Sequence, residues 1–324
     1  MKILVLGAGG FIGSHVVNYL KAKGNYVVGV DLKKPLFAET TADQFYLGDL
    51  GDQLFFSKIC HGAWDEIYQL AADMGGAGYI FTGENDTAVM TNSALINLNF
   101  ASSISRGQIE VGKFFYSSSA CIYPEFNQVN PDDPDCREES AYPAMPDSEY
   151  GWEKLFSERL YLALARNFST TVRIARFHNI YGPHGVWRGG KEKAPAAICR
   201  KVMETLNGGT VEIWGDGSQT RSFLYIDDCV DGIMHLMASS LTDPINIGSE
   251  EMISIRKLTE MVIEISGKSL NISYIDGPTG VRGRNSFNEK IEAATGWTPD
   301  HDLKSGISKT YEWICESVKN SMVK

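Results

Sequence analysis

The sequence predicts an α/β protein with a doubly wound parallel sheet and a smaller C-terminal α/β lobe. Short, β-rich apolar runs alternate with helix-length segments over the first half of the chain. A glycine-rich turn also separates the first apolar run from the first predicted helix. Alternating strands and helices form a parallel sheet covered by helices on both faces. A chain of 324 residues is long enough for this unit and a second lobe.

The elements of the first half are predicted from apolar runs and helical spacing. The run at residues 3–6 is short, apolar and bounded by glycine, which is typical of a strand buried on both faces. The other predicted strands are residues 26–30, 67–70, 113–116 and 172–177, and the predicted helices are residues 11–22, 92–106 and 150–166.

The strand–helix alternation sets the expected domain boundaries. It weakens after residue 177, so residues 1–177 are predicted as the sheet domain and 178–324 as the smaller lobe. Residues 221–248 are expected to return to the first domain, which makes the two domains interleaved. The segment 124–147 holds five prolines and several acids, and it is predicted as a surface loop.

Composition excludes several classes of function. The net charge of −10 makes nucleic acid or an anionic membrane a poor partner, and no apolar run approaches the length of a membrane span. The six cysteines have no CxxC spacing, which favours reduced thiols and a cytoplasmic location. The six histidines form no HExxH motif, so no metal site is expected.

The glycine-rich turn is the first candidate binding site. Gly7, Gly10 and Gly13, with Phe11 and Ile12 between the last two, follow the first strand and open the first helix. Glycine lets the backbone approach a pyrophosphate, and the helix N-terminus offers free N–H groups. This turn predicts a Rossmann-type dinucleotide site, the alternative being a strand–helix turn without a ligand.

Asp31 strengthens that prediction. It ends the second predicted strand, 24 residues after Gly7, where a carboxylate binds ribose hydroxyls. A carboxylate repels the 2′-phosphate of NADP, so NAD is the expected cofactor, although Lys33 and Lys34 lie nearby.

A tyrosine–lysine pair supplies candidate redox chemistry. Tyr150 and Lys154 are four residues apart, which places both on one face of a helix. A nearby ammonium favours the phenolate, which can then accept the proton of an alcohol. Ser119 follows the strand at 113–116, and its hydroxyl can bind the reacting oxygen. Taken alone, the pair could be a surface tyrosine and a solvated lysine.

The glycine turn, Asp31, Ser119 and the Tyr150–Lys154 pair follow one another along the chain. In this order of motifs the sequence resembles the extended short-chain dehydrogenase/reductase (NAD-dependent epimerase/dehydratase) family that acts on nucleotide sugars. The resemblance covers nearly the whole chain and implies that Asp49, Leu50 and Ala71 contact the cofactor. Within the family, five segments resemble the GDP-mannose 3,5-epimerases: LAADMGGAGYI (70–80), YSSSACIYPEF (116–126), RFHNIYGPHGVWRGGKEKAPAA (176–197), EIWGDGSQTRSF (212–223) and GVRGRNS (280–286).

This resemblance implies epimerisation of GDP-mannose at carbons 3 and 5 to GDP-L-galactose, with the 5-epimer GDP-L-gulose as a further candidate product. Carbon 4 is oxidised by NAD, the adjacent carbons exchange protons, and the ketone is reduced again. The resemblance assigns Cys121 as one proton-exchange group, because a thiolate can act as a base. It assigns Lys193 as the opposing acid, although spacing alone cannot exclude Lys191.

Substrate contacts follow from the same resemblance. It implies Gly76, Ser119, Glu192 and Lys193 near the hexose. Asn179 follows a strand end and could contact substrate or stabilise a turn. Arg221 and Arg282 are candidates for the two phosphates because guanidinium binds such oxygens through two hydrogen bonds.

Lys201 adds positive charge near the expected phosphates, and Trp214 is a candidate for the nucleotide pocket, with core packing as its alternative. A GDP-hexose is therefore the expected small-molecule partner, and the family resemblance also implies a homodimer.

Two other functions remain open from the residues. Carbon-4 epimerisation or 4,6-dehydration of another nucleotide sugar uses the same oxidation step. A non-catalytic NAD-binding regulator uses the same fold, although such a protein could lose the Tyr150–Lys154 pair that is intact here.

Overall fold

A seven-stranded parallel sheet forms the centre of the protein in the computed structural model, which describes residues 1–322. The strands are β1 (Lys2–Leu6), β2 (Tyr26–Asp31), β3 (Gln44–Leu47), β4 (Gly62–Gln69), β5 (Ile109–Ser119), β6 (Thr171–Phe177), β7 (Ile180–Tyr181), β8 (Thr210–Trp214), β9 (Thr220–Ser222), β10 (Leu224–Tyr225), β11 (Ile245–Ile247), β12 (Met252–Ser254), β13 (Asn271–Ile275) and β14 (Gly283–Arg284).

Helices cover both faces of this sheet and build much of the smaller lobe. They are α1 (Phe11–Ala22), α2 (Gln53–Ile59), α3 (Ala77–Ile80), α4 (Asp86–Ser105), α5 (Glu149–Phe168), α6 (Ala194–Glu204), α7 (Ile226–Ala238), α8 (Ile255–Ser266), α9 (Glu289–Thr295) and α10 (Leu303–Met322). No helix among residues 1–322 is both long and apolar enough to cross a membrane.

The order of the strands confirms the predicted fold class. Across the sheet it is β11-β6-β5-β4-β1-β2-β3, and every neighbouring pair is parallel. The order reverses at β1, which lies between β4 and β2. In such sheets ligands bind at the carboxyl ends of the strands beside the reversal, so this edge positions the site.

The apolar run of β1 is explained by its burial on both faces. Ile3 and Val5 pack into one core with α1 and α7, and Leu4 and Leu6 pack into a second core with α4 and α5. All four side chains are fully buried. Alternation along a strand puts successive side chains on opposite faces, so a strand between two helical layers needs apolar residues at every position.

The structure extends several predicted elements and adds others. The helix predicted at 92–106 begins at Asp86, and the strand predicted at 113–116 runs from Ile109 to Ser119. The strand β3 was not predicted, because it is a short edge strand whose side chains are mostly exposed. Such a strand carries little periodic signal.

The segment 124–147 is irregular, but the prediction of a surface loop is only partly correct. It contains two short 3₁₀ turns, Glu125–Gln128 and Glu138–Ala141. Cys136 and Ala141 are fully buried in a small apolar cluster against α5. This packing lets the segment support the turn at residues 120–122.

The smaller lobe contains a parallel pair, β8–β13, and a three-stranded sheet, β12-β9-β14. Between these strands the chain crosses back to the central sheet, where β11 pairs in parallel with β6. The helix α7, which precedes β11, packs on α1 of the first half. The second half of the chain therefore contributes a strand, β11, to the central sheet of the first half.

Candidate active site

The turn between β1 and α1 is built so that only glycine fits at key positions. Gly7 has φ of +85°, and a Cβ there would lie 2.6 Å from the backbone N of Ala71. A Cβ at Gly13 would lie 2.0 Å from the carbonyl oxygen of Gly7. Gly10 caps α1 without a side-chain hydrogen bond. The turn therefore presents open backbone N–H groups at a helix N-terminus, which fits the pyrophosphate of a dinucleotide.

Asp31 lies at the end of β2 and faces this turn. Its Oδ2 accepts a hydrogen bond from the Gly9 N–H at 2.9 Å, and its Oδ1 accepts one from the Lys33 N–H at 3.1 Å. Burial raises the pKa of Asp31 despite these hydrogen bonds. Each carboxylate oxygen keeps a further lone pair, so the residue can still accept ribose hydroxyls.

The other predicted cofactor residues surround the same strand ends. Asp49 is exposed and accepts a hydrogen bond from the Gly51 N–H at 2.7 Å, whereas Leu50 is buried. Ala71 follows β4 beside the glycine turn. Phe11 and Ile12 are half-buried at the start of α1. The structure thus brings these residues to the edge where the strand order reverses.

Tyr150 and Lys154 lie on α5, next to the end of β5. Both are almost fully buried. The Nζ of Lys154 donates a hydrogen bond to the carbonyl oxygen of Ser117 at 2.8 Å and lies 5.7 Å from the ring centre of Tyr150. Burial raises the pKa of Tyr150, and a hydrogen bond with Ser119 opposes this effect. Ser119, Tyr150 and Lys154 therefore form one cluster.

Cys121 enters the same cluster through a close approach of two backbones. A Cβ at Gly151 would lie 2.1 Å from the carbonyl oxygen of Cys121, so α5 packs directly on the turn at residues 120–122. The Cys121 N–H donates a hydrogen bond to Ser119 Oγ at 3.2 Å. Cys121 and Tyr150 share a small buried apolar cluster with Ile80.

Arg284, which no sequence motif singled out, contacts the sulfur of Cys121. Its Nη1 lies 3.2 Å from Cys121 Sγ, its Nε donates to Gln128 Oε1 at 2.7 Å, and its Nη2 pairs with Asp147. Arg284 lies in the GVRGRNS segment, in which Arg282 was the predicted phosphate ligand. Two arginines two residues apart carry no sequence signal for which one is buried.

The pKa of the Cys121 thiol is raised, first by burial and then by the Asp147 carboxylate. Arg284 and the hydrogen bond with Ser119 oppose this effect. In the protein alone the thiol is therefore neutral near pH 7. Burial outweighs the single guanidinium.

Lys193 faces the same region from the other lobe. It is the residue before α6 and is half-buried. Burial lowers the pKa of Lys193, and the charge of Cys121 raises it, so the two groups are close enough to interact. An ammonium whose pKa is lowered gives up its proton more readily.

Gly76 and Glu192 are brought together beside Lys193. A Cβ at Gly76 would lie 2.1 Å from the carbonyl oxygen of Glu192, so the two loops meet backbone to backbone. The Glu192 carboxylate binds the Gly190 N–H at 2.6 Å and Arg200 at 3.2 Å. Both oxygens of the Glu192 carboxylate therefore already have hydrogen-bond partners within the protein.

Asn179 adopts a left-handed conformation with φ of +48°. Its Nδ2 donates a hydrogen bond to the Ser222 carbonyl oxygen at 2.9 Å. The amide nitrogen is therefore used in stabilising the turn, and the side-chain oxygen remains available for a ligand.

Lys201 and Trp214 lie together at the outer part of the second lobe. Lys201 Nζ donates to the Glu212 carbonyl oxygen at 2.7 Å and lies 6.0 Å from the Trp214 ring centre. Trp214 is 38% exposed, which argues against core packing. Gly78 and Gly277 both lie against its ring.

The two predicted arginines differ in their surroundings. Arg221, on β9, is half-buried and donates to the carbonyl oxygens of Thr279 at 3.0 Å and Val281 at 2.6 Å. Burial and the neighbouring Arg284 lower the pKa of Arg221 to about 9. Arg282 is exposed and lies 3.3 Å from Asp216.

An open groove with a volume of about 630 Å³ adjoins Trp214. Its lining residues are Gly215, Asp216, Tyr274, Ile275, Asp276, Thr279 and Arg282. Within residues 1–322 no cluster of His, Cys, Asp and Glu has the arrangement of a metal site.

The fold and the clustered Ser119, Tyr150 and Lys154 define an NAD-dependent enzyme of the extended short-chain dehydrogenase/reductase type. The chain belongs to the NAD dependent epimerase/dehydratase family, whose model matches residues 3–248.

Known relatives and structures agree with this assignment. GDP-mannose 3,5-epimerase of Arabidopsis thaliana is 44% identical over 100% of this chain and 85% of its own length. GDP-mannose 3,5-epimerase 1 of Oryza sativa subsp. japonica is 43% identical over 98% of this chain and 83% of its own. The UDP-glucuronic acid 4-epimerase of Bacillus cereus, solved with UDP-glucuronic acid and NAD, is 27% identical with a TM-score of 0.80, covering 98% of this chain and 100% of that one.

Proposed function

We propose that this enzyme epimerises GDP-mannose at carbons 3 and 5 to GDP-L-galactose, with GDP-L-gulose as a second product. The observation that carries the proposal is that Cys121 packs in one cluster with Tyr150 and lies close enough to Lys193 to interact with it. These two groups come from different lobes, and each can exchange a proton. Simple carbon-4 epimerisation requires neither of them.

The first task of the site is to handle the hydroxyl at carbon 4. Bound NAD supplies the reversible oxidation of this carbon. Tyr150 takes the hydroxyl proton and returns it at the end of the cycle. Lys154, held by the Ser117 carbonyl, lies beside the tyrosine ring, and burial lowers the pKa of its ammonium group. Ser119, which forms a hydrogen bond with Tyr150, holds the reacting oxygen.

The second task is to exchange protons beside the temporary ketone. A carbonyl acidifies the neighbouring C–H bonds, and inversion needs a base on one face and an acid on the other. Cys121 serves as the base, helped by the hydrogen bond that Arg284 donates to its sulfur. Lys193 serves as the acid, since burial lowers the pKa of its ammonium group.

The nucleotide is held on the smaller lobe. Arg221 is positioned on β9 within reach of the cluster around Cys121, and Lys201 and Arg282 supply positive charge further out. The groove beside Trp214 provides space for the base and ribose. Gly76, Glu192 and Asn179 line the hexose end, Glu192 by its backbone and Asn179 by its free side-chain oxygen.

The decisive experiment is turnover of GDP-mannose in heavy water with product identification by NMR. We expect deuterium at carbons 3 and 5 and the signals of GDP-L-galactose. The variant Cys121→Ala should lose this exchange while it keeps NAD binding. If the wild-type enzyme incorporates no solvent deuterium at either carbon, the proposal is wrong.

The same assay separates the other two functions. A carbon-4 epimerase or 4,6-dehydratase would convert a UDP- or other nucleotide hexose, and Cys121→Ala would spare carbon-4 epimerisation. A non-catalytic regulator would bind NAD, but adding a GDP- or UDP-hexose would not change the nicotinamide absorbance. The intact Tyr150–Lys154 pair favours an enzyme over the regulator.

We also infer a homodimer that forms through α4 and α5. These two helices pack on each other and leave large apolar side chains in solvent. Leu95 and Leu98 on α4 are each 43% exposed, and Trp152 and Phe156 on α5 are 42% and 48% exposed. Exposed apolar patches of this kind mark protein interfaces.

All six cysteines are free thiols, which supports a cytoplasmic location.

A further inference from the structure

Three side chains join the loop that carries Lys193 to the loop that follows β4. Lys191 Nζ lies 3.2 Å from Asp73 Oδ1 and 3.7 Å from the ring centre of Tyr79. Tyr79 in turn donates its hydroxyl hydrogen to Asp73 Oδ1 at 3.0 Å. We call this arrangement of Asp73, Tyr79 and Lys191 the clasp.

The clasp is firmly attached on the side of the central sheet. Asn92, on α4, donates a hydrogen bond to Asp73 Oδ2 at 2.9 Å, and the Asp73 N–H donates to Ser93 Oγ at 3.0 Å. Burial alone would raise the pKa of Asp73, but the hydrogen bonds of Asn92 and Tyr79 and the charge of Lys191 lower it overall. Asp73 is therefore a fixed anion at neutral pH.

The other side of the clasp belongs to a loop with two flexible glycines, which is also held by the Glu192 carboxylate through the Gly190 N–H and Arg200. Gly189 and Gly190 have φ of +95° and +89°, and a Cβ at either would meet no atom within 4 Å. Glycine at such positions leaves the backbone many accessible conformations. One backbone hydrogen bond, from the Gly76 N–H to the Lys191 carbonyl oxygen at 3.1 Å, joins this loop to the first.

We infer that Asp73 and Lys191 are positioning residues for Lys193, and that the clasp holds its ammonium group opposite Cys121 during proton return. This inference rests on the proposed function. Lys193 is only two residues after Lys191, and it ends the loop at the first turn of α6. Any movement of the backbone at Lys191 therefore also displaces Lys193, the proposed acid.

The clasp also explains why two lysines flank Glu192. Lys191 is held by Asp73, with 45% of its side chain exposed, whereas Lys193 points to the cluster of Cys121. An ion pair this exposed contributes little to global stability. Its effect is expected on the geometry of the loop and much less on the melting temperature.

Kinetics of Lys191→Gln test the inference. A misplaced acid slows proton return, so kcat for deuterium exchange should fall about 10- to 100-fold. The substrate is bound mainly by other residues, so KM should change by less than about threefold. Lys191→Arg keeps the charge and can stack on Tyr79, and it should restore kcat. Lys304→Gln, which removes an exposed pair with Glu264, is the matched control and should behave as wild type.

A second measurement does not depend on the substrate. Hydrogen–deuterium exchange of residues 185–193 should be faster in Lys191→Gln and in Asp73→Asn than in the wild type. The double variant should exchange no faster than Asp73→Asn alone, because that variant has already lost the ion pair with Lys191. If GDP-mannose is not a substrate, the proposed function fails while this exchange result still stands.

Three outcomes would overturn the inference. The first is wild-type amide exchange of residues 185–193 in Lys191→Gln. The second is an unchanged kcat in the same variant. The third is a rise in KM alone, which would make Lys191 a substrate-binding residue.

Discussion

Arg284 donates a hydrogen bond to the sulfur of Cys121 across 3.2 Å, with both side chains buried. The same guanidinium pairs with Asp147, whose charge raises the pKa of the thiol. Arg284 therefore links Cys121, the proposed base, to Asp147. Arg284 lowers the pKa of the thiol, and Asp147 raises it. The balance of these charges controls the fraction of thiolate.

The first prediction concerns pH. Because burial and Asp147 raise the pKa of Cys121, the thiolate is scarce at neutral pH and increases with pH. Solvent deuterium entry into the hexose should rise about tenfold per pH unit while the pH stays below that pKa and below the pKa of Lys193, whose ammonium group is the proposed acid. Asp147→Asn removes one cause of the raised pKa, so its profile should move to lower pH. Asp135→Asn, at an exposed carboxylate nearby, should leave the profile unchanged. A flat profile would exclude Cys121 as the base.

The second prediction concerns the stability of the buried pair. Arg284→Gln leaves Asp147 buried without its cation, and removing one partner of such a pair costs about 3–5 kcal/mol. Urea unfolding should report this loss. Arg256→Gln removes an exposed arginine paired with Glu260, and its unfolding midpoint should match the wild type. Equal midpoints for the two variants would contradict the burial argument.

The third prediction concerns the glycine turn. A Cβ in Gly13→Ala would lie 2.0 Å from the Gly7 carbonyl oxygen, so the turn must open and lose about 1–3 kcal/mol. NAD binding, measured by calorimetry, should weaken strongly. Gly107→Ala is a useful comparison, because Gly107 has φ of +67° with no atom within 4 Å of its Cβ. That variant should lose about 1–2 kcal/mol from backbone strain and keep its NAD affinity.

The fourth prediction concerns cofactor choice. Asp31→Asn loses a charged acceptor for ribose, which is worth about 1.5–3 kcal/mol and corresponds to roughly 10- to 100-fold weaker NAD binding. The loss of negative charge should also narrow the preference for NAD over NADP. Dissociation constants for both dinucleotides measure this. An unchanged ratio of the two constants would mean that another residue discriminates them.

The fifth prediction concerns assembly. Trp152→Glu places a charge in the apolar patch of α4 and α5, which should convert the proposed dimer to a monomer in light scattering. Leu206→Glu changes a leucine that is 84% exposed just after α6 in the smaller lobe, and it should leave the mass unchanged. A wild-type protein that is already monomeric would rule the dimer out.

Local patterns predicted the parts of the molecule that local physics determines. The apolar run of β1, the glycine turn and the four-residue spacing of Tyr150 and Lys154 each follow from one stretch of chain, and the structure has the strand, the turn and the shared helix face. Their assembly at the edge where the strand order reverses follows from the parallel topology.

Contacts between distant segments could not be predicted in this way. Arg284 reaches Cys121 from a strand 163 residues further along the chain. Likewise, Lys191 meets Asp73 across 118 residues. Neither pair has a periodicity or motif of its own, because its geometry arises only when both lobes are packed.

The return of β11 to the central sheet has a consequence for how the chain folds. A fragment that stopped at residue 177 would present β6 as a bare edge, with its Ala175–Phe177 backbone unpaired. Unpaired strand edges invite aggregation. The amino-terminal half made alone should therefore aggregate more readily than the whole chain, in which β11 and α7 cover this part of β6.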